Sequence, residues 1–267
     1  ALGEGAAGWV ATYRPAGRPW RPGERVRLPA LAATLECLAV AGPDDLYRGE
    51  LAERQARGLA AAGSRITAAD LAGHASTWAV PLALPYRGAT ATTHPPNSSG
   101  VVALEAPNVL LAFVPGAGGA TAGADARWAH LGIEATKLAL ADRDRHLSDP
   151  DVVDVPVARL LDPAYGAELA RTIDPARAAP PPSSRAPRGG GTIWLGVVDR
   201  EGNAVSLIQS NYAGFGSGVV DPTTGIAYQN RGSYFSLDPD HPNVLAPRKR
   251  TLHTLLPGML LLVPPKA

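Results

Sequence analysis

Apolar residues in the first half of the chain recur at three- and four-residue intervals, the period of a helix with one face turned to a core. The stretch "LPALAATLECLAVAGPDDLYRGELAERQARGLAAAG" carries this pattern; Gly42-Pro43 divides it into two helices and Gly63 ends the second. "TAADLAGH" reads as a short helix with Thr67 as N-cap. "VPLALPYRGATATTH" has strand composition, interrupted by Pro85. "PPNSSG" is a turn cluster that leads into "VVALEAPNVLLAF", helical at first and disturbed by Pro107. A long helix follows in "ADARWAHLGIEATKLALADRDRH", with Trp128, Leu131, Ala135 and Leu138 on one face.

After residue 191 the pattern changes. "TIWLGVVD" is apolar on both faces, which predicts a strand buried on both sides. "REGN" joins it to "AVSLIQSNY", so the second strand returns antiparallel. With a loop of two or four residues, Thr192 pairs with Asn211 and Ser210 lies within one residue of it. Short strands and turns continue through "FGSGVVDPTTGIAYQNRGSYFSLDP". Helices first and strands later, around a shared core, predict an α+β fold.

Composition narrows the function. The chain has 267 residues, 45% hydrophobic and 18% charged, enough to bury a sizeable core. A formal net charge of +1 leaves no electrostatic footprint for nucleic acid. The nearest basic cluster, Arg248, Lys249 and Arg250, reads as a solvated turn. Cys37 is the single cysteine, which excludes an internal disulfide, and in its apolar helix it reads as a buried, inert thiol. The six histidines show no ligand spacing, so no metal and no organic cofactor is expected. No apolar run reaches the length of a membrane span. "VPGAGGATAG" follows an apolar run, but Gly116 and Gly118 are followed by Thr121 where a dinucleotide loop needs glycine, so a flexible loop is expected. The chain lacks an initiator Met and stops after "LLLVPPKA", and so reads as a fragment without either end.

The chemistry concentrates at one threonine. The Pro- and Gly-rich arm of 178–191 ends on Gly191, and Thr192 opens the first strand. A threonine hydroxyl is a poor nucleophile without a base, and no His, Asp or Glu lies beside it in the hairpin. Cutting the Gly191–Thr192 bond would free an α-amine of pKa about 7.7–8.0, able to accept the hydroxyl proton. An ordinary strand start remains open as the alternative.

"VVDREGNAVSLIQSNYAGFGSGVVDPTTGIAYQNRGSYFS" and "PNVLAPRKRTLHTLLPGM" resemble the small-subunit region of γ-glutamyltranspeptidases, or glutathione hydrolases. "PYRGATATTHPPNSSG" and "EATKLALADRDRHLSDPD" resemble that family's large-subunit region, in the same order. The resemblance implies an N-terminal-nucleophile (Ntn) hydrolase with a four-layer αββα sandwich, incomplete in this chain. It implies one precursor cut into two subunits. Residues 1–191 would belong to the large and 192–267 to the small, around one shared core. Thr192 would attack the γ-carbonyl of a γ-glutamyl amide such as glutathione and form an ester that water or an acceptor amine resolves. Ser210 matches the position whose hydroxyl supports the nucleophile. His253 and Thr254 fall where the family binds the substrate α-carboxylate.

Several positions depart from the family pattern. Tyr212, Arg231 and Tyr234 stand where Asn, Gln and Asp usually hold the glutamyl α-amine. The acidic partner for an ammonium is lost and a guanidinium has appeared, which disfavours a free α-amine and suits a carboxylate or a neutral acyl group. The alternative is therefore a transpeptidase-like acylase of the glutaryl or cephalosporin type. Ile193 and Trp194 replace a threonine and a histidine, and the family's Gly-Gly oxyanion pair does not occur before Ala267. An inactive remnant is the third reading. Relatives of this kind are often periplasmic or secreted.

Overall fold

The computed structural model describes residues 6–14, 16–113, 126–180 and 191–262. The glycine loop of 114–123 and most of the arm of 178–191 therefore lie outside the described residues. The chain divides into two compact units. The first takes in the chain up to Trp78, Gly191 and Asn211–Asn230; the second takes in the chain from Ala79, Thr192–Ser210, and the chain from Arg231.

The first unit is helical: α1 (Ala6–Tyr13), α2 (Pro29–Ala41), α3 (Asp45–Arg48), α4 (Glu50–Ala61) and α5 (Ala68–Ala72). Pro29 sits in the first turn of α2, where its missing N–H costs nothing, and Gly42 at φ 89° ends it. The second expected helix is two. Asp45 caps α4 by accepting from Glu50 N (3.0 Å) and Leu51 N (3.3 Å). That carboxylate fills the space beside Gly49, where a Cβ would meet Asp45 Oδ1 at 1.6 Å. α5 carries the expected cap: Thr67 and Asp70 close a reciprocal capping box. Cys37 is half-buried rather than buried, and its thiol donates to Asp45 Oδ2 (3.4 Å), a carboxylate that raises its pKa.

One turn from the far side of the Gly191–Thr192 bond completes this unit. Asp221 accepts from Thr223 N and Thr224 Oγ1, folding Asp221–Gly225 into a tight turn. Thr34 Oγ1 on α2 donates to Thr224 O (2.7 Å), and Arg54 on α4 donates to Thr223 O (2.6 Å). Gly225 has φ 70°, and a Cβ there would lie 2.5 Å from Leu31 N.

The second unit packs α6 (Gly100–Leu110) against α7 (Ala126–His146) and α9 (Pro163–Ala170), with α8 (Val157–Leu160) beside them. Val101, Val109, Leu131, Ala135, Ala139 and Leu160 form its buried centre. The α7 face follows the sequence period: Leu131 and Ala135 are buried, and Trp128 and Leu138 pack partly buried at its margin. Pro107 lies within α6, which runs three residues past it before tightening into a 3-10 turn at Leu111–Phe113.

β1 (Leu82–Tyr86), β2 (Ala89–Thr93) and β5 (Gly258–Leu262) form an antiparallel sheet in the order β1-β2-β5. β1 is an edge strand, which is why it tolerates Pro85. β3 (Thr192–Val198) and β4 (Ala204–Ser210) form a separate hairpin. The expectation of a strand buried on both faces fails for β3: every residue in it is exposed, Trp194 at 63% and Val198 at 71%. Its apolar pattern calls for cover on both faces, and none is present among the described residues.

Candidate active site

The hairpin turn sets the site. Asp199 N donates to Asn203 O (3.0 Å), and Asn203 N donates back to Asp199 Oδ1 (2.8 Å). Those bonds hold the Asp199 carboxyl below its usual range, with the Asn203 side-chain amide the largest contributor. The loop is therefore the three residues Arg200 to Gly202, with Gly202 left-handed at φ 87°. This shifts the expected register by one: Val198 pairs with Ala204, and Thr192 pairs with Ser210 rather than Asn211. Directly opposed residues share a sheet face. Thr192 Oγ donates to Ser210 Oγ at 2.8 Å, at the open end of the ladder.

Gly191, the residue before the nucleophile candidate, is exposed. A Cβ on it would lie a tight 3.1 Å from Gly214 O.

Arg231 opens a 3-10 turn that also carries Tyr234, and it is buried. Its Nη2 donates to Ser210 O at 3.4 Å, so the guanidinium and the Thr192 hydroxyl both bond to Ser210. His253 is half-buried. Burial pushes its pKa down to about 4, with Arg231, His94 and Arg250 adding to the fall. Leu255 N donates to His253 Nδ1 (3.2 Å), which assigns the ring proton of the neutral imidazole to Nε2. Thr254 is half-buried in the same segment. Tyr234 packs at the edge of the apolar core, and its carbonyl accepts from Asn243 Nδ2 (2.9 Å).

Of the seven side chains singled out from sequence, Thr192, Ser210, Arg231, Tyr234, His253 and Thr254 fall in the second unit, and Tyr212 falls in the first. Tyr212 has φ 76°, a conformation uncommon for a residue with a Cβ and one that clusters at functional sites.

Sequence reasoning missed the partners of His253. "PPNSSG" signalled a turn and part of a family resemblance but no partner, yet Ser98 bridges to His253 across the chain. The serines themselves were the available signal; their distant partner was not. Among the described residues no cluster of His, Cys, Asp or Glu could hold a metal ion, and no helix is long and apolar enough to cross a membrane.

The gamma-glutamyltranspeptidase family model matches residues 4–264, and the chain belongs to that family. Its fold is of the Ntn-hydrolase type. The chain is 47% identical over 251 residues to an oxamate amidohydrolase proenzyme of Klebsiella pneumoniae, covering 94% of this chain and 46% of the relative. It is 34% identical to a glutathione hydrolase proenzyme of Escherichia coli, covering 94% and 46%. A crystal structure of cephalosporin acylase from Bacillus halodurans superposes with TM-score 0.85 at 40% identity, covering 97% of this chain and 46% of that one. The chain thus spans about half the length of the curated relatives it matches.

Proposed function

We propose that the full-length protein is an autoprocessed amidohydrolase or acyltransferase whose nucleophile is Thr192. The reading rests on the 2.8 Å hydrogen bond between Thr192 and Ser210, directly after Gly191 at the end of a hairpin. Hydrolysis of the Gly191–Thr192 bond by one water leaves a carboxylate on Gly191 and an α-amine on Thr192. That amine takes the hydroxyl proton as Thr192 Oγ attacks the substrate amide carbon. The C–N bond then breaks, the amine leaves with the proton, and an acyl ester remains on Thr192. Water or an acceptor amine releases the acyl group. Ser210 orients the nucleophile, and His253 Nε2–H with Thr254 binds a substrate carboxylate.

γ-Glutamyl amides such as glutathione are the first substrate reading, and the glutathione hydrolase relatives support it. The buried guanidinium of Arg231 beside Ser210 favours a second: a carboxylate-bearing acyl group with no free α-amine. Like-charge repulsion from a guanidinium disfavours an ammonium nearby, whereas a carboxylate is attracted to it. Relatives named as an oxamate amidohydrolase and a cephalosporin acylase fit that reading. Tyr234, on the 3-10 turn that Arg231 opens, would line the acyl site without a charge.

The test uses full-length protein with γ-glutamyl-p-nitroanilide, oxamate and a glutaryl amide. Turnover of the latter two alone selects the second reading. Intact mass should show two chains, one beginning at Thr192. Thr192→Ala should leave a single uncut chain; cutting that persists at this bond overturns the mechanism, and a wild type that stays whole supports the inactive remnant.

A further inference from the structure

We infer that the loop Asn97–Ser99 is a positioning device for the carboxylate site at His253, an inference that rests on the reaction proposed above. The segment Arg250–Leu255 belongs to no strand, so its own backbone cannot hold it. The loop supplies what a ladder would. His253 N donates to Asn97 O (2.9 Å), and Asn97 Nδ2 donates to Thr251 O (2.7 Å). Ser99 donates twice to the His253 carbonyl, from its N (2.7 Å) and its Oγ (2.8 Å). Ser98 Oγ donates to Leu255 O.

Two donors from one residue onto one carbonyl fix the peptide plane between His253 and Thr254. That plane sets where both side chains start. Nδ1 is already committed to Leu255 N, so Nε2–H is the ring's one polar group with no partner among the described residues. Ser98 and Ser99 are 0% and 2% exposed, so water does not compete for these bonds. Gly100 keeps the loop close: a Cβ there would lie 2.1 Å from His94 O. Asn97, Ser98 and Ser99 are positioning residues, acting on the substrate through His253 and Thr254.

The experiment compares wild type with Ser99→Ala in the full-length processed protein. One substrate is an amide whose acyl group carries a carboxylate, and the other is its neutral methyl ester. Losing one hydrogen bond should raise KM for the carboxylate substrate about tenfold and change kcat less than about twofold. The ester should be unaffected. Imidazole nitrogen NMR shifts give an activity-independent readout: wild-type His253 should hold its proton on Nε2, and Ser99→Ala should average the two tautomers. Should Ser99→Ala fail to fold, Asn97→Ala removes only the Thr251 contact and is read the same way. Unchanged imidazole shifts, or an equal loss on both substrates, overturn the positioning role. Loss of the tautomer preference with no wild-type amide turnover upholds the positioning and overturns the reaction.

Discussion

Glu105 on α6 has no exposed surface, and among the described residues neither carboxyl oxygen finds a hydrogen-bond partner of good geometry. The Asp142 carboxyl beside it is engaged by Tyr165 OH (2.6 Å) and Arg145. Burial, reinforced by Asp142, pushes the Glu105 pKa up to about 9, so the folded protein carries it as a neutral acid. A group raised in this way stabilises fully below its unfolded pKa, and that contribution is lost as pH rises towards the folded value. Glu105→Gln should therefore stabilise the protein at pH 8 by roughly 1–3 kcal/mol and flatten its stability between pH 5 and 8, read by urea denaturation. His253 has the opposite sign. Its depressed pKa of about 4 gives stability that is present above about pH 6.5 and lost as pH falls through 4. His253→Asn should remove that acid-side loss, measured by denaturation at pH 4.5 and 7. Thr192 and Ser210 were legible because eighteen residues of hairpin join them. Asn97 and Ser99 were not, because 154 and more residues separate them from their partners in the Thr251–His253 segment.

The hairpin is the element on which the candidate chemistry depends. Gly202 at φ 87° and the paired Asp199 and Asn203 set its turn. Gly202→Ala should cost about 1 kcal/mol by forcing a Cβ into the left-handed region. Asp199→Ala should remove both side-chain bonds to Asn203, and faster amide exchange along β3 and β4 would report it. Strand identity was readable from the apolar run, whereas register was not, since it turns on whether the loop holds two, three or four residues. Burial was misread for a related reason: an apolar pattern records what a strand needs as neighbours, not which residues supply them. The break at Gly49 was hidden likewise, because the Asp45 cap that fills the glycine's space looks in sequence like one more helical polar residue.

Both units draw on both sides of the Gly191–Thr192 bond. In the first, Thr224 holds α2 through Thr34. In the second, β5 pairs along the whole of β2, and Arg250 binds the buried Asp149 (2.7 Å) and Asp151 (2.6 Å). The halves that the proposed cut would make and the spatial units thus differ, and a linker visible in sequence marks only the former. Cleavage at residue 191 should leave the two chains associated: they should co-elute on native size exclusion and separate only in denaturant. The α+β class and the family were legible along most of the chain. The division into two units was not, because it depends on which distant segments pair.

Thr192 is the last rung of its ladder, and Gly191 stands just outside it, open to solvent. Severing the link between them would unzip nothing: each of the seven pairs down to the turn survives the break. The new chain end would be born already seated, its hydroxyl still on Ser210, with only the departing side free to swing away. A nucleophile placed two rungs inward would have to tear sheet to be released.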